Sequence, residues 1–190
     1  MFIVFNKEKI YSYVVALGTI VILFMMANSV IDNNMDSIQT SSAQKLLPIY
    51  SVDTDKKKVA FTMNCAWNAD DIDGILDTLS KNKVHITFFI VGDWADKYPE
   101  YVKKIAKAGH EIANHSNTHP HVNDLNLSEN ANEIRLNSEK IEKITGKKTL
   151  LYRAPYGEYN NTVINAATEE NHTVIQWNLD TIDYTRNNWC

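Results

Sequence analysis

The 190-residue sequence has only two cysteines, Cys65 and Cys190, so it predicts no disulfide framework. It also has little surplus charge, because 19 lysines and arginines against 23 aspartates and glutamates leave a formal net charge of -4 at pH 7. The sequence lacks the basic stripe that phosphate backbones select, which argues against nucleic acid as a partner. With 44% hydrophobic and 22% charged residues, the composition is typical of one globular domain with appendages.

One long segment, residues 10–31, lacks charged side chains altogether. As a helix it would span about 30 Å, enough for the hydrocarbon core of a bilayer. Lys7 and Lys9 before the run and Asp32 after it favour an N-terminus inside the cell and the bulk of the chain outside. The sequence therefore predicts a short cytoplasmic N-terminus over residues 1–9, a transmembrane signal anchor, and a single-pass protein with an extracytoplasmic domain.

Two other interpretations of this apolar run stay open. Ala27 and Ser29 are small residues near its end, as at the cleavage site of a signal peptide, although the run is longer than a usual signal core. A buried helix of the globular domain is the weaker alternative, since such a helix normally has a polar face and this run has none.

Beyond the run, residues 32–52 are polar without sustained periodicity and are predicted to form a linker, with the folded domain over residues 53–190. Strand-like and helix-like segments alternate in that domain. The predicted strands are 59–62, 85–91, 111–114, 150–153 and 173–177, and the predicted helices are 70–81, 99–108, 128–146 and 162–170. This regular alternation predicts an α/β fold with a parallel sheet or barrel and right-handed crossovers.

The residues capable of chemistry follow the predicted strands. They are Asn64, Cys65, His115, His119, Arg153, Asp180 and Asp183. In barrels of parallel strands the βα loops converge at the C-terminal rim, where active sites are built. The positions therefore predict a functional site at this rim.

His115 and His119 are four residues apart, a spacing that lets both imidazoles face one point if the second lies on a helical turn. Neutral imidazoles suit zinc and other borderline divalent metals, and Cys65 offers a third ligand as a thiolate. The alternative is a polar loop with incidental histidines. His110 and His121 are interpreted as bystanders, because His110 precedes its strand and the spacing of His121 does not match.

Arg153 and the two aspartates are the other polar candidates. Arg153 can hold a carboxylate or a developing oxyanion, or form a structural salt bridge at its turn. Asp180 and Asp183 can orient a histidine or contact sugar hydroxyls, or cap the next helix. Several aromatic residues can stack on a sugar ring, or simply pack in the core or on the surface. They are Trp94 and Tyr159 together with the expected substrate contacts Trp67, Tyr156 and Trp177.

Five segments in order resemble the polysaccharide deacetylase family, the NodB-homology fold, over about residues 57–184. The segments are VAFT, ITFFIVGDW, GHEIANHSNTH, LYRAPYG and IQWNLDTIDY. The resemblance implies a distorted (β/α) barrel, here incomplete with about five βα units. It implies a hydrolase of carbon–nitrogen bonds that removes N-acetyl groups from chitin-like or peptidoglycan sugars.

The same resemblance implies a divalent metal, zinc by ligand type, held by one aspartate and two histidines, with a second aspartate as the base. The histidines four residues apart would be the metal histidines, and Arg153 would orient the base. Tyr156 would lie beside the oxyanion, while Asp180 and Asp183 would tune the catalytic acid.

Two features depart from the family pattern. Where the family has Thr-Phe-Asp-Asp-Gly, this chain has the segment TMNCA, so Asn64 occupies the base position and Cys65 the position of the metal aspartate. A carboxamide does not accept a proton near neutral pH, so general-base catalysis from position 64 is lost. The family's late motif with its acid histidine would follow Tyr184, and no histidine follows His172.

Three hypotheses account for these departures. The first is an enzyme of this lineage that acts on N-acetylated glycans of the cell envelope. The second is a non-catalytic descendant that binds such glycans or a partner in the envelope. The third is a truncated gene product of marginal stability, whose incomplete barrel leaves an open edge strand that promotes association.

Overall fold

The structure, a computed structural model, describes residues 7–35 and 44–182. The chain divides into two compact units, Met1–Gln44 and Lys45–Cys190. In the first unit, helix α1 spans Lys7–Met35 and covers the apolar run predicted to cross a membrane. Among the described residues, however, none of the helices combines the length and apolar character that a membrane crossing requires. The predicted transmembrane helix is therefore not found there, and the location in the cell membrane stays a prediction.

The second unit is built on five parallel strands that lie in the sheet in their sequence order. They are β1 Thr62–Cys65, β2 Thr87–Ile90, β3 Glu111–Asn114, β4 Leu151–Tyr152 and β5 Thr173–Val174. The interior strand β2 is covered on both faces, since Phe88, Phe89 and Ile90 are all 0% exposed. Continuous burial of this kind is typical of parallel sheets. The predicted α/β class with parallel strands is confirmed.

Helices connect successive strands of the sheet. They are α2 Ile72–Asn82, α3 Gly92–Lys97, α4 Pro99–Lys107, α5 Leu127–Thr145 and α6 Asn161–Glu169. Local signals explain several of the boundaries. Pro99 occupies the first turn of α4. Asn126 and Glu129 form a capping box at the start of α5, and Gly146 ends that helix in the left-handed region with φ 71°.

Two clusters of buried apolar side chains lie on the sheet. The first joins β1 and β2 to α2, α3 and α4, and includes Cys65, Ile72, Trp94, Val102 and Ile105. The second lies under α5 and α6, and includes Ile134, Tyr152, Val163 and Val174. These clusters fix the positions of the strands, and thereby the positions of the loops that follow them.

The folded domain begins before the predicted boundary at residue 53. Ile49 forms a parallel bridge with Ile175, donating its N–H to the carbonyl of Val174 at 2.9 Å, and its own carbonyl accepts from Gln176 at 2.8 Å. Pro48 is buried beside this contact. The C-terminal part of the predicted linker 32–52 therefore pairs with the edge of β5. A single bridged residue gives no periodic sequence pattern, which explains why the sequence predicts a linker up to residue 52.

The opposite edge of the sheet is β1, which pairs with β2. No partner lies on its other side among the residues that the structure describes. Val59 and Phe61, just before the strand, are 68% and 62% exposed. Association through this edge stays a prediction, because exposed strand edges are ready templates for pairing.

Candidate functional site at the carboxyl rim of the sheet

Side chains from four strand ends come together at the rim. Arg153, which follows β4, donates from Nη1 to Oδ1 of Asn64 at the end of β1, at 2.9 Å. His115, which follows β3, bonds through Nδ1 to the carbonyl of Arg153 at 2.7 Å. The ring of Trp177, beyond β5, lies 5.3 Å from the guanidinium carbon of Arg153. The geometry thus forms one connected group from residues that are far apart in sequence.

The His115 ring is fixed in one orientation. A carbonyl oxygen can only accept a hydrogen bond, so Nδ1 of His115 carries a proton and donates it in a hydrogen bond to the backbone carbonyl of Arg153. Burial lowers the pKa of His115 to about 3, which keeps the ring neutral. Nε2 therefore carries a free lone pair. A neutral imidazole with its other nitrogen held by a carbonyl is the form in which histidine binds metals.

His119 is the second imidazole of the site. Its ring centroid lies 5.0 Å from that of His115. Its Nδ1 is buried and has no hydrogen-bond partner among the described residues. Burial also lowers the pKa of His119. The backbone of His119 is in the left-handed region, with φ 60°. A non-glycine residue keeps this strained conformation only when contacts with the surrounding structure stabilise it.

Glu133 of α5 holds the loop between the two histidines. Its Oε2 accepts from Ser116 Oγ at 2.7 Å, from the Asn117 N–H at 3.0 Å and from the Thr118 N–H at 2.8 Å. Ser116 is left-handed as well, with φ 70°. One carboxylate thus satisfies three donors of a strained loop. Bonds to a charged acceptor are stronger than neutral ones, so Glu133 contributes to the placement of both imidazoles.

The N-terminus of α3 supports the same loop from the other side. The N–H of Gly92 donates to the carbonyl of Ser116 at 3.0 Å, and that of Asp93 donates to the carbonyl of Asn117 at 2.9 Å. A Cβ on Gly92 would lie 2.9 Å from the carbonyl oxygen of Asn117 and 3.0 Å from its Cα. Only glycine therefore permits this close approach.

We expect the Glu133→Ala substitution to destabilise the domain by about 2 kcal/mol, because it removes a charged acceptor and leaves backbone donors of the loop unpaired. Urea denaturation followed by circular dichroism measures the change. Glu139→Ala is the matched control, since Glu139 lies on the same helix and forms only an exposed ion pair with Arg135. Equal stability of the two variants would contradict the role of Glu133.

Arg153 is buried between aromatic rings. It is 3% exposed, and its guanidinium carbon lies 3.9 Å from the centroid of Phe89. Burial lowers the pKa of Arg153 to about 10, so the side chain remains charged at neutral pH. The described residues give it no ion pair, so the structural salt bridge considered as the alternative is not found among them. The amide oxygen of Asn64 is its side-chain partner.

Cys65, predicted as the third metal ligand, is not part of a three-ligand group in the described part of the chain. It is 3% exposed and belongs to the first apolar cluster. Burial, with a smaller contribution from the charge of Asp71, raises the pKa of the Cys65 thiol to about 12. A protonated thiol is a poor ligand, because metals bind the thiolate. The part of the chain that the structure describes contains no group of three His, Cys, Asp or Glu that could hold a metal.

The donor set is therefore incomplete. His115 and His119 fit a metal as two neutral ligands, and the unpartnered Nδ1 of His119 agrees with that use. The third ligand predicted at Cys65 is not grouped with the two histidines among the described residues, and its role stays a prediction. The residues present do not fit the implied metal as a full set.

The two predicted aspartates have different outcomes. Asp180 accepts from the indole N–H of Trp177 at 3.2 Å and from the N–H of Ile182 at 2.9 Å. Asp180 therefore stabilises its own turn, and no helix follows it among the described residues for it to cap. Asp183 lies outside the described residues.

Two of the predicted sugar-binding aromatics flank His119. Trp67 is 73% exposed, with its ring centroid 5.7 Å from that of His119. Tyr156 is 57% exposed and lies 4.7 Å from the same ring. Trp94 is different, since it is buried and donates to the carbonyl of Asn68. The exposed rings of Trp67 and Tyr156 can meet a ligand at the rim.

His121, interpreted from the sequence as a bystander, lies beside this group. Its ring stacks on Tyr156 at a centroid distance of 4.3 Å and an interplanar angle of 12°. Its Nδ1 bonds to Oε1 of Glu158 at 2.7 Å. Spacing relative to the other histidines could not reveal this contact, because Tyr156 and Glu158 come from the loop after β4.

Comparisons with known proteins show which proteins the chain is similar to. The family model described as polysaccharide deacetylase matches residues 51–175. The peptidoglycan-N-acetylglucosamine deacetylase of Bacillus cereus is 35% identical over 76% of this chain. The peptidoglycan-N-acetylmuramic acid deacetylase PdaC of Bacillus subtilis is 34% identical over 73% of this chain. The chain spans 52% of the first relative and 29% of the second.

Solved structures show the same similarity. A CE4 family pseudoenzyme from Bacillus anthracis superposes with a TM-score of 0.71 at 33% identity, covering 73% of this chain and 50% of that chain. A mutant described as a CE4 family pseudoenzyme with restored enzymatic activity gives the same TM-score of 0.71 and covers 51% of its chain. At these identities the similarity extends beyond the fold.

Proposed function

The chain belongs to the polysaccharide deacetylase family, whose members hydrolyse N-acetyl groups on glycans, and we propose that it binds N-acetylated glycans of the cell envelope with impaired hydrolysis. Peptidoglycan is the favoured glycan, since both curated relatives described above act on it. Binding takes place at the rim of the sheet, where Trp67, Tyr156 and the two imidazoles lie.

The hydrogen bond between Asn64 and Arg153 carries this proposal. By family resemblance the residue at position 64 is the base that Arg153 orients. Here the guanidinium is in place and holds an amide oxygen, which cannot take a proton from water near neutral pH. The groove and its orienting arginine are thus retained without the group that performs the proton transfer.

The chemistry of Cys65 supports the same conclusion. By resemblance this position supplies an anionic metal ligand. A thiol that is protonated within an apolar cluster supplies neither charge nor a strong donor. The pseudoenzyme relative is a precedent for a member of this family without activity, and its restored mutant for recovery by substitution.

Binding without rapid hydrolysis needs only surfaces that the rim retains. The exposed indole of Trp67 offers an apolar face to the sugar ring. Arg153 is too buried to reach far into the groove, so its effect on a glycan acts through Asn64. Asn64 is exposed, and its amide can donate to the carbonyl of an N-acetyl group.

We expect an N-acetylglucosamine oligomer to bind the chain, and Trp67→Ala to weaken binding by about three- to tenfold, since an aromatic contact is worth roughly 0.5–1.5 kcal/mol. Titration followed by calorimetry or by NMR measures the affinity. Phe61→Ala is the matched control, because Phe61 is an exposed aromatic just before β1, at the opposite end of the sheet. Absence of binding by the unsubstituted chain would overturn the proposed function.

A further inference from the structure

We propose that His121, held by Glu158, is a glycan-binding residue that forms with Tyr156 an additional subsite for a sugar hydroxyl group. The inference rests on the proposed function and extends it to His121 and Glu158, for which neither family resemblance nor spacing assigns a role. Three observations carry it: the orientation of the His121 ring, its stacking on Tyr156, and the environment of the Glu158 carboxylate.

The bond to Glu158 fixes which nitrogen of His121 is available. A carboxylate oxygen accepts, so Nδ1 of His121 donates to Oε1 of Glu158 at 2.7 Å. Nε2 of His121 is then the ring nitrogen available for a hydrogen bond to a ligand. The side chain of His121 is 60% exposed, so a ligand can reach it. In the neutral ring Nε2 accepts from a hydroxyl and in the charged ring it donates to one, so the contact does not depend on the charge of the ring.

Tyr156 connects His121 to the group of imidazoles. The two rings stack almost parallel, at 12° and 4.3 Å between centroids. Tyr156 in turn lies 4.7 Å from the ring of His119. Its backbone is left-handed, with φ 57°, a conformation that persists in a tyrosine only when neighbouring contacts support it. The stack on His121 is one such contact, and it makes the subsite continuous with the rim.

Glu158 differs from the acid of an ordinary surface ion pair. Its side chain is only 26% exposed, and Oε2 is buried without a hydrogen-bond partner among the described residues. Glu158 is therefore a partly buried support for the His121 ring and acts on a ligand only through it. Sugar hydroxyls can both donate to and accept from the outward Nε2 of His121. A neutral polyhydroxylated ligand therefore matches the pair better than an anionic one, which the carboxylate would repel.

The test is the affinity of the 190-residue chain for an N-acetylglucosamine oligomer, measured by calorimetric titration. His121→Ala should weaken binding by about three- to tenfold, the effect of one lost hydrogen bond and the loosened tyrosine. Glu158→Ala should weaken binding by a smaller factor, because His121 is still present but its ring is no longer held in one orientation. Glu158→Gln should retain most of the affinity of the unsubstituted chain, since the amide oxygen of glutamine still accepts from Nδ1 of His121. The double variant His121→Ala, Glu158→Ala should bind no more weakly than His121→Ala alone.

His85→Ala is the matched control. His85 is exposed, lies just before β2 at the opposite end of the sheet, and contacts the ring of His110 rather than the rim. A thermal melt of each variant shows that it is folded. Unchanged affinity of a folded His121→Ala variant, with binding by the unsubstituted chain intact, overturns this inference alone. Absence of binding by the unsubstituted chain overturns the proposed function and the subsite with it.

Discussion

The double variant Asn64→Asp, Cys65→Asp should release acetate from an N-acetylglucosamine oligomer in the presence of zinc, whereas the unsubstituted chain should release little or none. Amide hydrolysis needs a water molecule made nucleophilic and a group that takes its proton. An aspartate at position 64 would meet the guanidinium of Arg153, which already lies 2.9 Å from the oxygen of Asn64. The substitution therefore adds a base where its orienting partner is in place.

Positioned acid–base catalysis contributes about 10²–10⁴-fold, which sets the scale of the expected gain.

Asn68→Asp is the matched control for this gain. Asn68 is an exposed asparagine in the same loop, and its side chain bonds to Asp70 rather than to Arg153. In the Cys65→Asp background the control adds two carboxylates, as the double variant does, but places neither on Arg153, so it should leave acetate release unchanged. Robust, metal-dependent release by the unsubstituted chain would show that another residue serves as base, and the interpretation of Asn64 would be wrong.

The sheet could be predicted from the sequence because its strands carry strong local signals. The run from residue 85 to 91 is rich in β-branched and aromatic residues, and in the structure its centre, Phe88–Ile90, is fully buried. Helix ends could also be predicted where one residue type restricts the backbone conformation. Pro99 and Gly146 mark such ends in the structure. The rim followed from topology alone, since parallel strands bring their C-terminal ends to one edge.

Contacts between distant segments could not be predicted in the same way. The pairing of Ile49 with Ile175 depends on one bridged residue, and α3 has only 6 residues, too few to establish helical periodicity. Glu133 lies within an amphipathic helix, where an acidic residue normally indicates a solvated face. Its use as the acceptor for three donors of the histidine loop becomes visible only when α5 packs beside that loop.

Residue type alone could not decide the role of Cys65. A cysteine in the position of a metal ligand, with two histidines elsewhere in the sequence, matches a zinc set in composition. Ligand competence depends on ionisation, however, and ionisation depends on the surroundings. Among apolar side chains and without a metal, burial raises the pKa of the thiol, so a metal would have to displace its proton to bind there. The sequence shows that position 65 carries a sulfur atom, but the ionisation of that sulfur depends on how β1 packs on α2 and α3.

The Cys65→Asp variant should bind zinc at least about ten- to hundredfold more tightly than the unsubstituted chain, since even outer-shell partners of a metal contribute factors of that size. The unsubstituted chain has two neutral imidazoles and should bind zinc weakly. Replacing both His115 and His119 by alanine should abolish zinc binding in either background. Competition with a chromophoric chelator measures the affinities, and Cys65→Ser controls for loss of the thiol without gain of an anionic ligand.

Stability gives an independent measurement of the same prediction. A carboxylate at position 65 without a metal would lie unpaired among apolar side chains, so Cys65→Asp should melt below the unsubstituted chain in a chelator. Zinc should reverse that loss, because a ligand that binds only the folded state stabilises it by about 2.7 kcal/mol at a hundred times its dissociation constant. His110→Ala should leave this zinc-dependent shift intact, since His110 lies before β3 at the other end of the sheet. A Cys65→Asp variant whose melting temperature ignores zinc would show that position 65 cannot reach the imidazoles, and the site would then hold a metal by His115 and His119 alone or not at all.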